Sequence, residues 1–426
     1  MMKLLQAMKR ELGLAVCDPR RLIFLFGAAV AYLIVFGLLY VPNLVKDVPC
    51  VVYDAENSHF SRELVRDIES SDSMKAAVFV NSEEEMQRAL NMKQAYAAIE
   101  IPSDFSKKVK TGQGADVLYM ANGANIILTN ITSSAMQDIL AAFSDRAAAE
   151  RTALRTGDDE QLLEHMISPV HVNLRVLYNT TQGYMFFFLL GLAMVAFQQG
   201  IFFAVGAAVD GEYEQVQAGT HDWHFSSLLL LAAKFVLYWV LAMLSYLLVV
   251  FLVQYVFEIP LKAPLGTLLT LAGIFVAAAI SFAMFFSAIF NCEMEFVRAI
   301  IMYPVPAFIF TGYTWPQESM PLWLQHVAAA FPLSWFSNTV RELFLAGHSP
   351  RLAEDYQALA ILIAVFLSLG VLIFCLKMRH FRKKYGQMNA AEPKTAPNGT
   401  GSWLSGSQSH FSFIYDKIET LRKVKQ

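Results

Sequence analysis

The sequence predicts an α-helical polytopic membrane protein: six transmembrane helices, with an α/β extracytoplasmic domain inserted after the first. Three observations predict it. Of 426 residues, 56% are hydrophobic and only 16% charged, and the mean hydropathy is +0.42. A soluble globular chain is nearer half apolar and a quarter charged. Uncharged runs near the ~20 residues a spanning helix needs recur at 22–40, 184–209, 235–257, 263–292, 299–317 and 356–376. An interval of soluble composition, 42–180, separates the first run from the other five.

At the start of the chain, Met1, Leu4, Leu5, Met8, Leu12 and Ala15 fall on one helical face, while Lys3, Gln6, Lys9 and Arg10 fall on another. This fits a helix lying on a membrane surface with its cationic face to the headgroups. Five Lys/Arg precede the first apolar run, so 1–21 is expected in the cytoplasm and 22–41 as the first span. That run is longer than a secretory h-region and no small-residue cleavage site follows, which argues for a retained span rather than a leader.

Within 42–180, strand-like runs at 48–53, 76–80, 96–101 and 116–120 alternate with helical pieces at 58–70, 82–92 and 104–110. A long helix is expected over 126–155. Such alternation predicts a small α/β domain. Asn81-Ser82 followed by Glu83–Glu85 reads as a capped helix start with acids on its positive end, and Pro102-Ser103-Asp104 as another.

The remaining spans lie in 181–380. An even number of crossings puts both termini on one side. Lys377, Arg379, Arg382, Lys383 and Lys384 follow the last run and assign that side to the cytoplasm. The loops 210–224 and 291–298 are then cytoplasmic, while 258–262 and the segment 311–347 are external. The 210–224 loop, with four acids and no Lys or Arg, runs against the charge rule without reversing the sum. Lys234, about two turns into the third span, is expected to snorkel toward the near interface. Residues 381–426 form a cytoplasmic tail whose Gly/Ser/Pro/Asn-rich start reads as a flexible linker.

The external segment 311–347 is aromatic-rich and cut by prolines. Helices over 321–331 and 333–345 would be roughly 16 and 20 Å long at ~1.5 Å per residue. Both are too short for a ~30 Å hydrocarbon core, and Pro332 between them removes a backbone donor. A re-entrant or interfacial hairpin is expected.

Several function classes are excluded. Net charge is −3, and residues 43–175 carry 20 acidic against 13 basic side chains, so no nucleic-acid surface is indicated. No GxxxxGK[ST], GxSxG or HExxH motif occurs, and Cys17, Cys50, Cys292 and Cys375 make neither a disulfide framework nor a zinc spacing. His221 and His224 in a short polar loop are read as coincidence rather than as metal ligands. No catalytic, cofactor or metal residue is assigned. The amides Gln182, Gln198 and Gln199 in an apolar span face either a partner helix within the subunit or an interface or substrate path between subunits.

The chain resembles the membrane subunits of ABC-2 type ABC transporters, specifically bacterial exporter permeases with a large domain after the first span. The likeness covers roughly 1–380. It rests on Gly312, Pro316, Glu318-Ser319-Met320-Pro321-Leu322-Trp323-Leu324-Gln325, Phe331-Pro332-Leu333, Arg341, Leu345 and Gly347 between the last two spans. Arg175, Tyr178 and Asn179 before the second span, and the run Ala98–Ser106, are also similar. The resemblance implies that Asp210, Glu212, Glu214, Gly219 and Thr220 belong to a loop docking on a separate ATP-binding subunit; the basic residue and tight spacing usual there are missing. It implies that ATP–Mg is held by that partner, and that a second permease copy or paralogue completes a path across the bacterial inner membrane. The hairpin, with Pro316, Glu318, Met320, Pro321, Trp323, Pro332, Arg341 and Gly347, would cap that path. A periplasmic adaptor is a further expected partner of the acidic domain, alongside membrane lipid. The competing reading is a membrane-anchored envelope scaffold or binding protein that transports nothing.

Overall fold

A computed structural model describes residues 2–41, 45–156, 178–179, 183–217 and 225–385. Gln182, Gly219, Thr220, the histidine pair of 221–224 and most of the C-terminal tail lie outside them.

Helix α1 (Met2–Cys17) leads into α2 (Pro19–Leu39), with Asp18 between them and a proline at the first position of α2, where its missing N–H costs nothing. The inserted domain follows: β1 (Val48–Asp54), α3 (His59–Ser70), β2 (Met74–Val80), α4 (Glu83–Asn91), β3 (Ala97–Ile101), α5 (Phe105–Thr111), β4 (Leu118–Ala121) and α6 (Ile126–Thr156). The sheet order is β2-β1-β3-β4, parallel except for the β3–β4 pair. Alternate residues of β1 face opposite sides, as the pleat requires. Cys50 and Val52 join Leu64, Ile68, Phe105, Met136 and Phe143 beneath α3, α5 and α6. Val51 packs with Met86 and Ala89 of α4 on the other face. Ser82 caps α4 by accepting from the Glu85 N–H at 3.2 Å, and Glu85 reaches back to the Asn81 N–H at 3.1 Å. Asp104 makes no cap bond; its carboxylate pairs with Lys108 instead, at 2.8 Å.

After the domain come α7 (Tyr184–Gln217), α8 (Ser227–Tyr255) and α9 (Leu265–Ile289). The short α10 (Glu293–Ile300) and α11 (Pro304–Phe310) follow, then α12 (Leu322–Ala329), α13 (Ser337–Leu345) and α14 (Leu352–Tyr385). Six described helices are long and apolar enough to cross a membrane: α2, α6, α7, α8, α9 and α14. Of these, α6 packs on the sheet of the inserted domain through Met136 and Phe143.

The run 299–317, expected as one span, is an interrupted helix. The chain turns at Ile301–Tyr303 because Pro304 and Pro306 cannot continue the hydrogen-bond ladder of α10. The two halves together cover 293–310, roughly 27 Å at ~1.5 Å per residue, close to a ~30 Å core.

The centre of the bundle is α7, buried along most of its length. Its glycines set the approach of its neighbours. A Cβ on Gly200 would sit 2.5 Å from the Phe24 carbonyl of α2, and one on Gly206 would sit 2.0 Å from the Phe296 ring of α10.

Candidate functional site

Two constellations form at opposite ends of the bundle. The first gathers α1, the start of α2, the end of α7 and the start of α8. On α1, Ala7, Glu11 and Ala15 share one face at helical spacing and are buried. Met2, Leu5, Leu12 and Val16 point outward on another face. The small residues let α1 lie close to α8, and that closeness seats Glu11 inside. Lys234 pairs with Glu11 and lies 3.0 Å from Glu212. Arg21 reaches Glu11 at 3.3 Å and Asp18 at 3.2 Å. Arg10 donates to Glu212 at 2.8 Å and to Gln215 at 2.7 Å. The Tyr238 hydroxyl donates to Glu11 at 3.4 Å. Each of the two interior carboxylates thus has two cationic partners. Unpaired, each would carry a desolvation cost of several kcal/mol.

Lys234 therefore does not snorkel. Only 2% of its side chain is exposed, because two carboxylates from other helices meet it inside the bundle. Asp18 closes the network at its edge. Burial pushes its carboxyl up, but the hydrogen bonds and charges of Arg20 and Arg21 outweigh that and hold it below the usual range.

Of the residues assigned to the partner loop, Asp210 and Glu212 are fully buried, Glu212 as part of this network. Glu214 is exposed, as is Gln217 at the end of α7. Gln198 and Gln199 both reach the interrupted helix. Gln198 donates to the Tyr303 hydroxyl at 3.0 Å, and Gln199 to the Ile300 carbonyl at 3.3 Å. That carbonyl also accepts the Tyr303 N–H at 3.1 Å, since Pro304 four residues on has no N–H to offer.

The second constellation is the hairpin. Its first helix is α12. The second begins as a 3-10 turn, Pro332–Trp335, resets at Phe336 and continues as α13. Pro316 is exposed and precedes the turn Gln317–Ser319; Glu318 in that turn pairs with Arg351 at 2.6 Å. Bonds from its own backbone N–H and from Arg351 hold the Glu318 carboxyl below the usual range. Met320 is buried, and its carbonyl accepts from the Gln325 amide at 2.8 Å. Pro321 occupies the N-cap position of α12, and Trp323 on that helix is 67% exposed; Leu322 and Trp315 are exposed too. Pro332 is buried.

Arg341 lies over the Phe187 ring at 4.6 Å and the Tyr313 ring at 4.4 Å, which ties α13 to α7. Tyr313 fits there because Gly191 leaves room; a Cβ would come within 2.7 Å of its ring. Phe336 stacks on Phe275 of α9 at 3.8 Å. Gly347 ends α13 with φ +86°, and its N–H donates to the Glu342 carbonyl at 3.0 Å. The next two carbonyls, Leu343 and Phe344, accept from the backbone N–H groups of Ala263 and Lys262 at 3.0 and 3.1 Å. A cavity of about 630 Å³ separates the hairpin from the first turn of α14.

An N-terminal helix locked to the bundle, a domain after the first candidate span and a pair of short helices before the last mark a membrane transport subunit. The chain belongs to the ABC-2 family of transporter proteins, which it matches over residues 20–372. Over 307 residues it is 22% identical to the probable multidrug ABC transporter permease YbhR of Escherichia coli K12, covering 71% of this chain and 78% of that protein. Over 125 residues it is 26% identical to the probable multidrug ABC transporter permease YbhS of the same organism, 28% of this chain and 32% of that one.

Proposed function

We propose that this permease exports a hydrophobic or amphipathic compound, in the manner the names of YbhR and YbhS suggest for those proteins, powered by ATP hydrolysis on a separate ABC subunit. The observation that carries the reading is the buried ion network, which makes α1, the end of α7 and the start of α8 one rigid unit. A push on any part of it moves three elements of the bundle together. The exposed end of α7, Glu214 and Gln217, and the residues that follow it in sequence offer the contact for the ATPase. A second permease, identical or paralogous, completes the path, and ATP-driven closure of the ATPase pair biases the bundle between two arrangements.

In this reading both termini and the network face the cytoplasm, as the cations after the last span require. The inserted domain and the hairpin face outward. Trp315 and Trp323 then lie at the level of the outer headgroups, where indoles concentrate. The hairpin caps the exit.

The test is co-purification of a P-loop subunit with the permease, followed by ATPase stimulation of the reconstituted complex with a panel of amphiphilic drugs and lipids. Replacing 214–220 with a Gly/Ser linker is expected to abolish co-purification. Normal membrane insertion with no ATPase captured by the parent protein would overturn the reading and leave the envelope scaffold in its place.

A further inference from the structure

The ion network does not reach Asp210. This residue of α7 is fully buried, and neither of its carboxylate oxygens has a hydrogen-bond partner among the described residues. Glu11 and Glu212, the carboxylates inside the network, have two cationic partners each. Asp210 has the burial of those two and none of their pairing.

The groups around it are already committed. Lys377 of α14 is the cation whose charge acts on it. That ammonium donates to the Ala288 carbonyl at 3.1 Å and to the Phe290 carbonyl, and it lies 4.0 Å over the Tyr213 ring. Its three N–H donors are thereby spent on the end of α9, whose last carbonyls have no helical N–H to meet them. The Ser287 hydroxyl of α9 donates to the Gly206 carbonyl at 3.4 Å. The Tyr213 hydroxyl, one turn along α7, has no partner itself. Arg21 of α2 lies beside Gly211 but serves Glu11 and Asp18, and Lys234 of α8 serves Glu11 and Glu212. The other charged neighbours, Glu214 of α7 and Glu293 of α10, are acids that repel a negative charge at Asp210.

An ionised carboxylate removed from water and left without donors is far costlier than the neutral acid, and a group so placed takes up a proton instead. A metal ion does not answer the charge, because no three His, Cys, Asp or Glu side chains among the described residues converge closely enough to hold one. The proton is the cation that the packing around Asp210 leaves room for.

We propose that Asp210 is a proton-binding site, protonated in this arrangement of the bundle, which ties the packing of α7 against α9 and α14 to pH. Loss of the proton leaves a charge that Lys377 alone is placed to answer, and only by giving up the carbonyls at the end of α9. The site lies within one subunit and goes beyond the export reading, since proton binding needs neither the ATPase nor a cargo.

The experiment unfolds the full chain in mixed SDS micelles, without ATPase, from about pH 5 to about pH 7. It compares the parent with Asp210→Asn, which has the shape of the neutral acid and cannot ionise. An aspartate in the unfolded chain ionises near ~3.9, so across this window folding of the parent takes up one proton at Asp210 and folding of the variant takes up none there. The folded form holds the extra proton, so its advantage shrinks as pH rises. The parent's folded-to-unfolded ratio, divided by the variant's, is expected to fall about tenfold per pH unit. A quotient that does not change with pH would overturn the proposal, since a carboxylate ionised in both states, including one kept ionised by buried water, behaves that way. Infrared spectra at neutral pH decide the matter even where Asp210→Asn does not fold. The parent and Asp355→Asn, which removes another interior aspartate, are each prepared with isotope-labelled aspartate. A protonated-carboxyl stretch that moves with the label is expected in both, and its absence from the parent, or its loss in Asp355→Asn, would overturn the site.

Discussion

Replacing Lys234 with Met tests whether the N-terminal helix is held by buried charge. Lys234 sits between Glu11 on α1 and Glu212 on α7, with 2% of its side chain exposed. Met fills a similar volume but leaves Glu11 with Arg21 and Glu212 with Arg10. Removing one partner of a buried pair costs ~3–5 kcal/mol where the other charge is stranded. Here each carboxylate keeps one guanidinium, so the lower end applies, about 3 kcal/mol. Removing Glu11 as well, in a Glu11→Leu/Lys234→Met variant, deletes one buried pair, leaves Glu212 with Arg10 and Arg21 with Asp18, and is expected to recover more than half of that loss. The measurement is unfolding of the purified protein in mixed SDS micelles, with trypsin cleavage at Lys9 and Arg10 reporting release of α1. A single-variant loss under ~1 kcal/mol with unchanged trypsin protection would refute the reasoning, since that is the behaviour of a lysine whose head reaches water.

Gly200→Ala is expected to cost about 1–3 kcal/mol through overpacking against the Phe24 carbonyl, whereas Gly266→Ala, with nothing within 4 Å of its Cβ position, should leave thermal unfolding unchanged; equal effects would contradict the helix approach. Arg341→Met, which keeps the stem but loses the charge over Phe187 and Tyr313, should lower stability by ~1–2 kcal/mol and export with it, read by unfolding and by efflux from vesicles. Pro332→Ala should impair export while ATPase co-purification persists, because the change removes the stop between α12 and the turn that opens α13; unchanged efflux would count against the capping role. Burial pushes the Cys50 thiol up to about 11, so at neutral pH it should resist maleimide in the folded protein and react after denaturation, whereas the exposed Cys17 reacts in both states.

Most of the fold was legible because its signals are local. The strands of the inserted domain announced themselves by alternation, and the Ser82 cap by a serine ahead of three acids. The break within 299–317 was missed because hydropathy is blind to backbone donors, although Pro304 and Pro306 were in plain view. The ion network was missed for a different reason. Glu11 looks like one more polar residue on an amphipathic helix until it is placed between Ala7 and Ala15 on the face that packs. Lys234 looks like a snorkelling residue until its counter-ions arrive from positions 223 and 22 residues away in the chain. Burial of a charge depends on which helices meet, and no single-helix pattern encodes that. The hairpin was found from its prolines, but the seat of Arg341 between two rings depends on the room left by Gly191 on another helix.

The attachment of α13 to the turn between α8 and α9 runs through the backbone N–H groups of Lys262 and Ala263. Every residue type but proline supplies such a group. The exposed Lys262 side chain can therefore drift over evolutionary time without detaching the hairpin, whereas Ala263 is held by its packing in the core; a proline or a change in loop length would cut the joint loose. Selection on this joint acts on the spacing of the chain, so the turn is free to change its surface chemistry to suit a new cargo or membrane while the hairpin keeps its place.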